Sequence, residues 1–382
     1  MLSKASSANN SSLKKNISHY IKRKFGWLGL PRIVPYIGYG DKQNVYISGE
    51  VTEDYGISKP SVGQSRLRNI KAMAKRYISS DLKGVTVRVT YEGMSQEVVT
   101  DDHGIFRCHF NHNGQGSAGE VWRSASICCL RSDDYPNVPK AVEAEVMIVN
   151  DNPQFGIISD IDDTILVSYA TQKLMKLRLM LLNNAHTRMP FEGVSAFYHA
   201  LQRGTTGMFN PLFYVSNSEW NLFDLLYEFI QFNRIPKGPL FLRELKINLM
   251  RFTKLRTVNK NHKSETLQQL FTTFPQMQFI LIGDSGQHDP EIYSEIVKLF
   301  PGRVLAIYIR DIGIEANIAS IKTISEHINS KFKVEMILVK DTEAAAKHAI
   351  SKGYISPDYL EPIIEEKQKD LEKKEQAPET IL

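Results

Sequence analysis

Asp160-Ile161-Asp162-Asp163-Thr164 follows the apolar run Phe155-Gly156-Ile157-Ile158, with Ser159 between them. That run reads as a buried parallel strand. Open α/β sheets gather their chemistry in the crevice beyond the carboxyl ends of such strands. Carboxylates two residues apart in a tight turn repel and shift each other's pKa. That makes poor structural sense in isolation. It makes good sense around a divalent cation, with one carboxylate as nucleophile and the next as acid/base.

Three further groups follow in order. The run Asn210-Pro211-Leu212-Phe213-Tyr214-Val215 ends in Ser216, Lys263 opens a helical pattern, and Phe279-Ile280-Leu281-Ile282 leads into Gly283-Asp284 and then Asp289. A hydroxyl and an ammonium can bind and neutralise an anionic oxygen, and Mg²⁺ is a hard cation that suits a carboxylate set. Plainer readings exist beside these. Ser216-Asn217-Ser218-Glu219 also spells a helix capping box, which is itself compatible with an anion site at a helix N-terminus. Lys263 alone would be a solvated charge, Asp284 a helix cap, and Arg243 a surface charge.

The ordered set Asp-x-Asp-x-Thr, Ser, Lys and Gly-Asp-x-x-x-x-Asp resembles the haloacid dehalogenase superfamily of phosphotransferases. Ser159–Thr164, Tyr214–Ser218, His262-Lys263, Leu281–Gly286, Asp289–Tyr293 and Ile307–Arg310 further resemble the actin-patch phosphatidate phosphatase family, over about residues 30–315. The resemblance implies Asp160 as a nucleophile that forms an aspartyl-phosphate, and Asp162 as the acid/base. It implies Ser216 and Lys263 as catalytic contacts to the phosphoryl group, and Thr164, Asn217, Ser218 and Arg243 as substrate contacts. The implied Mg²⁺ ligands are Asp160, Asp162 (through its backbone carbonyl), Asp284 and Asp289. The implied reaction is phosphatidate to diacylglycerol. The family usually carries proline where this chain has Glu219, which bears on the geometry of that loop.

The elements that must position these residues fall into two blocks. From Asn44 to Asn150 the pattern is β: Val45–Val51, Val85–Tyr91, Glu97–Thr100, Ile105–Phe110, Ala125–Leu130 and Val142–Val149, with Asp102-His103-Gly104 as a turn. A small antiparallel β-sandwich over 41–150 is expected. Beyond Asn150-Asp151-Asn152-Pro153 strands alternate with helices, which predicts a parallel sheet in an α/β catalytic domain over 151–355, Rossmann-like and of the haloacid dehalogenase type. Later elements are strands at Val304–Ile309 and Val334–Val339 and a helix from Asp341. Residues 169–184, with Leu174, Leu177 and Leu181 beside Lys173, Lys176 and Arg178, lie where the superfamily places a small cap. Residues 1–40 are expected to be a flexible basic segment, and 356–382 a charged tail that frays from about Glu365.

Composition bounds the partners. The chain has 382 residues, 42% hydrophobic and 23% charged, the profile of a soluble protein with room for two domains. Residues 1–40 hold Lys4, Lys14, Lys15, Lys22, Arg23, Lys24 and Arg32 and no acid. With Phe25, Trp27, Leu28 and the basic helical pattern Arg66–Arg76, they lean towards an anionic membrane surface. No secretory or membrane-spanning pattern is read. Cys108, Cys128 and Cys129 read as reduced thiols. A cytoplasmic protein with peripheral membrane contact and a phospholipid substrate is expected, with nucleic acid excluded. The alternatives are a phosphatase of a soluble phosphomonoester, or a membrane-binding scaffold without catalysis.

Overall fold

The computed structural model describes residues 30–54, 82–111, 120–133, 135–150, 153–161, 191–243, 262–313 and 315–376. The N-terminal residues 1–29, the basic helical pattern at 66–78, the insert at 169–184, and Asp162 and Thr164 lie outside the described residues.

Eight strands form the first sheet: β1 (Pro31–Pro35), β2 (Gly38–Gly40), β3 (Asn44–Glu53), β4 (Thr86–Tyr91), β5 (Met94–Val99), β6 (Ile105–Asn111), β7 (Trp122–Cys129) and β8 (Val142–Ile148). Their order is β1-β3-β2-β8-β7-β4-β5, with β6 on β3. The expected sandwich is therefore one continuous hydrogen-bonded sheet among the described residues. It is antiparallel except where β2 runs parallel to β8. The sheet curls around its own core, because β3, β4, β6, β7 and β8 alternate and send Val45, Ile47, Val87, Val89, Phe106, Ile127 and Val146 into one cluster. Cys108 and Cys129 are buried there, and desolvation pushes their thiols up to about 11 and about 12.

Residues 31–40 correct the reading of 1–40 as wholly flexible. Strand β1 pairs with β3, and Ile33, Tyr36 and Tyr39 are buried. A side chain at Gly40 would collide with the Asn44 carbonyl oxygen at 2.1 Å, so only glycine allows β2 this close to β3. The strand also ties the two blocks together. Tyr36 stacks on Trp220 at 4.2 Å, Tyr39 packs against Phe241 at 5.2 Å, and Gln269 donates to the Tyr39 hydroxyl at 2.8 Å.

The second sheet is parallel, with strands β9 (Gly156–Asp160), β10 (Leu212–Glu219), β11 (Leu240–Arg243), β12 (Phe279–Asp284), β13 (Val304–Arg310) and β14 (Glu335–Val339) in the order β11-β10-β9-β12-β13-β14. Helices α1 (Val194–Arg203), α2 (Phe223–Phe232), α3 (His262–Thr273), α4 (Asp289–Leu299), α5 (Glu315–Phe332), α6 (Thr342–Ser351) and α7 (Leu360–Gln376) complete the described set. Strands buried on both faces need apolar residues at every position. Ile157, Ile280 and Ile282 accordingly enter a core roofed by α1, α2, α6 and α7, while Ile158 and Leu281 enter the opposite core under α3, α4 and α5. The chain builds outward from β9 to β11, then returns to the other side of β9 and builds from β12 to β14. The order thus reverses between β9 and β12, where open parallel sheets leave a crevice at the carboxyl ends.

Helix α7 overturns the frayed tail. Composition hid it, because its charges are paired and its apolar contacts are sparse. Ile363 is buried, Lys367 bridges Asp341 and Glu343 at 2.7 and 2.9 Å, and Asp370 accepts from the Gly193 backbone N–H at 3.2 Å. Glu366 accepts from the Ala196 backbone N–H. Those two acids complete the first turn of α1, which has no acid of its own there.

Candidate active site

Asp160 is the last residue of β9, Asp284 the last of β12, and Asp289 the first of α4. All three are buried, and one carboxylate oxygen from each lies within 4.8 Å of the others. Lys263, at the start of α3, enters from the side. Its Nζ lies 3.0 Å from Asp160 Oδ1 and pairs with Asp289 Oδ1. Burial pulls the Lys263 ammonium down, but the charges of Asp160 and then Asp289 push it up and prevail, leaving it above the ordinary lysine range. The ammonium is held charged by its own carboxylates rather than solvated.

Backbone geometry sets the acids. Asp289 Oδ2 accepts from the Asp284 N–H at 3.2 Å, so the start of α4 folds back over the end of β12. Asp284 Oδ1 accepts from the Gly286 N–H at 2.6 Å. A side chain at Gly283 would meet Asp289 Oδ2 at 2.4 Å and Asp289 Cγ at 2.9 Å. Asp289 is buried and ion-paired and cannot retreat. Gly283→Ala is therefore expected to destabilise the fold by about 1–3 kcal/mol, the usual cost of overpacking. It should also loosen the carboxylate set. Urea unfolding with calorimetric Mg²⁺ titration checks this, and wild-type values in both would contradict it.

Ser216 lies on β10, beside β9. The capping-box reading does not hold: β10 continues to Glu219, a 3-10 turn occupies Trp220–Leu222, and α2 starts only at Phe223. Ser216 Oγ accepts instead from the Ser218 N–H at 2.9 Å, where the pairing of β10 with β11 shifts register, and both serines are buried. Asn217 reaches across to Gln287 at 3.4 Å. Arg243 ends the edge strand β11 opposite Glu219, on the same rim of the sheet.

Two groups have no signature in residue type or spacing. Gln287 lies in the loop after β12, with Nε2 3.0 Å from Asp284 Oδ2 and 3.5 Å from Asp160 Oδ2. Tyr198 of α1 meets Ser159 Oγ at 2.7 Å, and Ser159 Oγ donates to the Asp160 carbonyl at 2.7 Å. Burial chiefly, and the Asp160 charge in addition, raise the Tyr198 hydroxyl, which stays a proton donor or acceptor beneath β9. Only the fold brings a helix residue 39 positions after Ser159 against β9; the signal available was the position of Tyr198 on the apolar face of α1.

The described part of the site is thus a lysine and three aspartates at the crest of a parallel sheet. Residues 155–311 match the family model described as Phosphatidate phosphatase APP1, catalytic domain. Over 156 residues, 41% of its length, the chain is 37% identical to Phosphatidate phosphatase APP1 of Saccharomyces cerevisiae, covering 25% of that protein. Over 193 residues, half of this chain, it is 30% identical to an uncharacterized protein of Schizosaccharomyces pombe, covering 30% of that protein. The chain therefore matches less than a third of the length of either relative. Among solved structures, a carbohydrate acetylesterase from Xanthomonas citri aligns over 80% of this chain and 76% of that chain with a TM-score of 0.27 and 9% identity, too distant to bear on the fold.

Proposed function

We propose that the chain is a Mg²⁺-dependent phosphatase of the haloacid dehalogenase type that converts phosphatidate to diacylglycerol and phosphate. The observation that carries the reading is the buried Asp160–Lys263–Asp289–Asp284 cluster at the strand-order reversal, inside the segment that matches the APP1 catalytic domain. The donor set fits the metal: all oxygen, three carboxylates against one ammonium, closely gathered and shielded from water. Asp160, Asp284 and Asp289 would hold the ion, with the Asp162 carbonyl as the resemblance implies. When bound, Mg²⁺ supplies the positive charge that lets an anionic pocket accept a phosphate dianion.

The chain's own residues supply the rest. A carboxylate oxygen of Asp160 attacks phosphorus, the bond from phosphorus to the lipid oxygen breaks, and an aspartyl-phosphate forms. Asp162 gives its proton to the departing alkoxide. It then takes a proton from water as that water attacks phosphorus and the Asp160–phosphorus link breaks. Lys263 orients Asp160 through its 3.0 Å contact and offsets charge on the phosphoryl oxygens. Ser216, Asn217 and Ser218 bind those oxygens from β10, while Thr164 and Arg243 contact the substrate. The substrate's phosphate sits at a bilayer surface, so the basic residues of 1–32 serve as a peripheral membrane contact on the cytoplasmic side. Among the described residues no helix is long and apolar enough to cross a membrane.

Phosphate release from phosphatidate in mixed micelles, set against a panel of soluble phosphomonoesters with and without Mg²⁺, tests the reading. Phosphatidate should be hydrolysed fastest, and chelation should stop turnover. Faster turnover of a soluble ester would move the assignment to that class. No release from any ester with Mg²⁺ present would leave a scaffold.

A further inference from the structure

The Gln287 amide lies among groups that the proposed chemistry does not assign it to. Its Nε2 faces two acceptor oxygens, Asp284 Oδ2 at 3.0 Å and Asp160 Oδ2 at 3.5 Å. Its Oε1 accepts from Asn217 Nδ2 at 3.4 Å. Amide orientation is ordinarily ambiguous, but carboxylates only accept when ionised, and Asn217 Nδ2 only donates. The network therefore sets Nε2 towards the aspartates and Oε1 towards β10.

Both acceptors belong to the carboxylates that would draw in a cation. An N–H dipole aimed at two carboxylates is a weak stand-in for positive charge. It stabilises the pocket without metal, and its positive end would face the metal once metal is bound. A ligand shifts such an equilibrium only by its differential affinity for the two states.

We infer that Gln287 is an internal competitor for the divalent-cation site, whose amide must leave the Asp160 and Asp284 oxygens before the cation can take them. The inference rests on the cation site proposed above. It makes Gln287 a positioning residue that tunes metal affinity. Because Asn217 holds the other end of the amide, displacement of Gln287 also breaks a link to the irregular stretch of β10 that carries Ser216 and Ser218. Cation entry and release of that stretch are then one event.

The sign of the effect separates this role from a structural one. Removing a residue that merely props the site weakens metal binding, whereas removing a competitor tightens it. The experiment is calorimetric titration of the whole chain with Mg²⁺, and of Mn²⁺ by its paramagnetic resonance signal, in wild type, Gln287→Ala and Gln287→Met. Methionine keeps the volume and removes the amide, so it guards against collapse of the loop in the alanine variant. Both variants are expected to bind cation about tenfold more tightly, the scale of a hydrogen bond to a charged group. Asn217→Ala, which frees the amide from β10 without removing it, should shift affinity less than either. Unchanged or weaker cation binding in a folded Gln287→Met overturns the inference. Absence of cation binding in wild type overturns instead the cation site on which it rests.

Discussion

Asp160→Asn is expected to abolish turnover while leaving the fold intact. An amide has no anionic oxygen to attack phosphorus and cannot form the acyl-phosphate, so the two-step route closes. Loss of a covalent nucleophile costs on the order of 10⁴-fold or more in kcat. The substitution is nearly isosteric, Asp160 sits in a continuous strand between β10 and β12, and Lys263 keeps Asp289 as its counter-charge, so circular dichroism should change little. Rapid-quench labelling with radioactive substrate should show phosphoenzyme in wild type and none in the variant. Activity of folded Asp160→Asn within a few-fold of wild type would falsify the mechanism.

Lys263→Met should cost stability as well as activity. The ammonium is 1% exposed and compensates two buried carboxylates, so the variant strands Asp160 and Asp289 without a counter-charge. Breaking a buried ion pair from one side typically costs about 3–5 kcal/mol. Saturating Mg²⁺ should recover part of this, because a cation that binds only the folded state adds stability by mass action. The pH dependence has a defined sign. The folded pKa of Lys263 is raised above its ordinary 10.5, so its contribution is fully present below that value and fades only as pH rises past it. The gap between wild type and Lys263→Met should stay level from neutral pH to about 10, then narrow. A gap that closes at neutral pH, or one absent in Mg²⁺-free buffer, would show that the ammonium is not what balances the pocket.

The site was legible because its chemistry requires particular side chains at the ends of apolar runs. Asp160, Lys263, Asp284 and Asp289 could be picked out by type and order, and the fold does gather them. Gln287 and Tyr198 could not be, since a glutamine in a loop and a tyrosine on a helix carry no mark until packing sets them beside the aspartates. Ser216 shows the opposite failure. Its local sequence satisfies a capping box, yet β10 runs on to Glu219, where it pairs again with Arg243 of β11, and tertiary hydrogen bonding overrides local preference. The alternating strands of the first block were readable from period two. Their closure into one curled sheet was not, because periodicity identifies faces and not neighbours. Helix α7 was missed for a related reason. Its acids read as solvent-facing until Gly193 and Ala196 are seen beside them.

That last contact has a consequence for how the protein is made. Helix α1 follows β9 directly among the described elements, yet the acids that finish its first turn are 170 and 177 residues further along the chain. Arg310 and Thr342 hold the same corner, through Glu192 and its carbonyl. On a ribosome, α1 emerges long before any of these partners, so the corner stays unfinished until α7 has been synthesised and docked. The roof over β9 is then the last piece to close. A nascent chain that stalls before residue 360 would display Asp160, Asp284 and Asp289 on a sheet beside an α1 still frayed at its start.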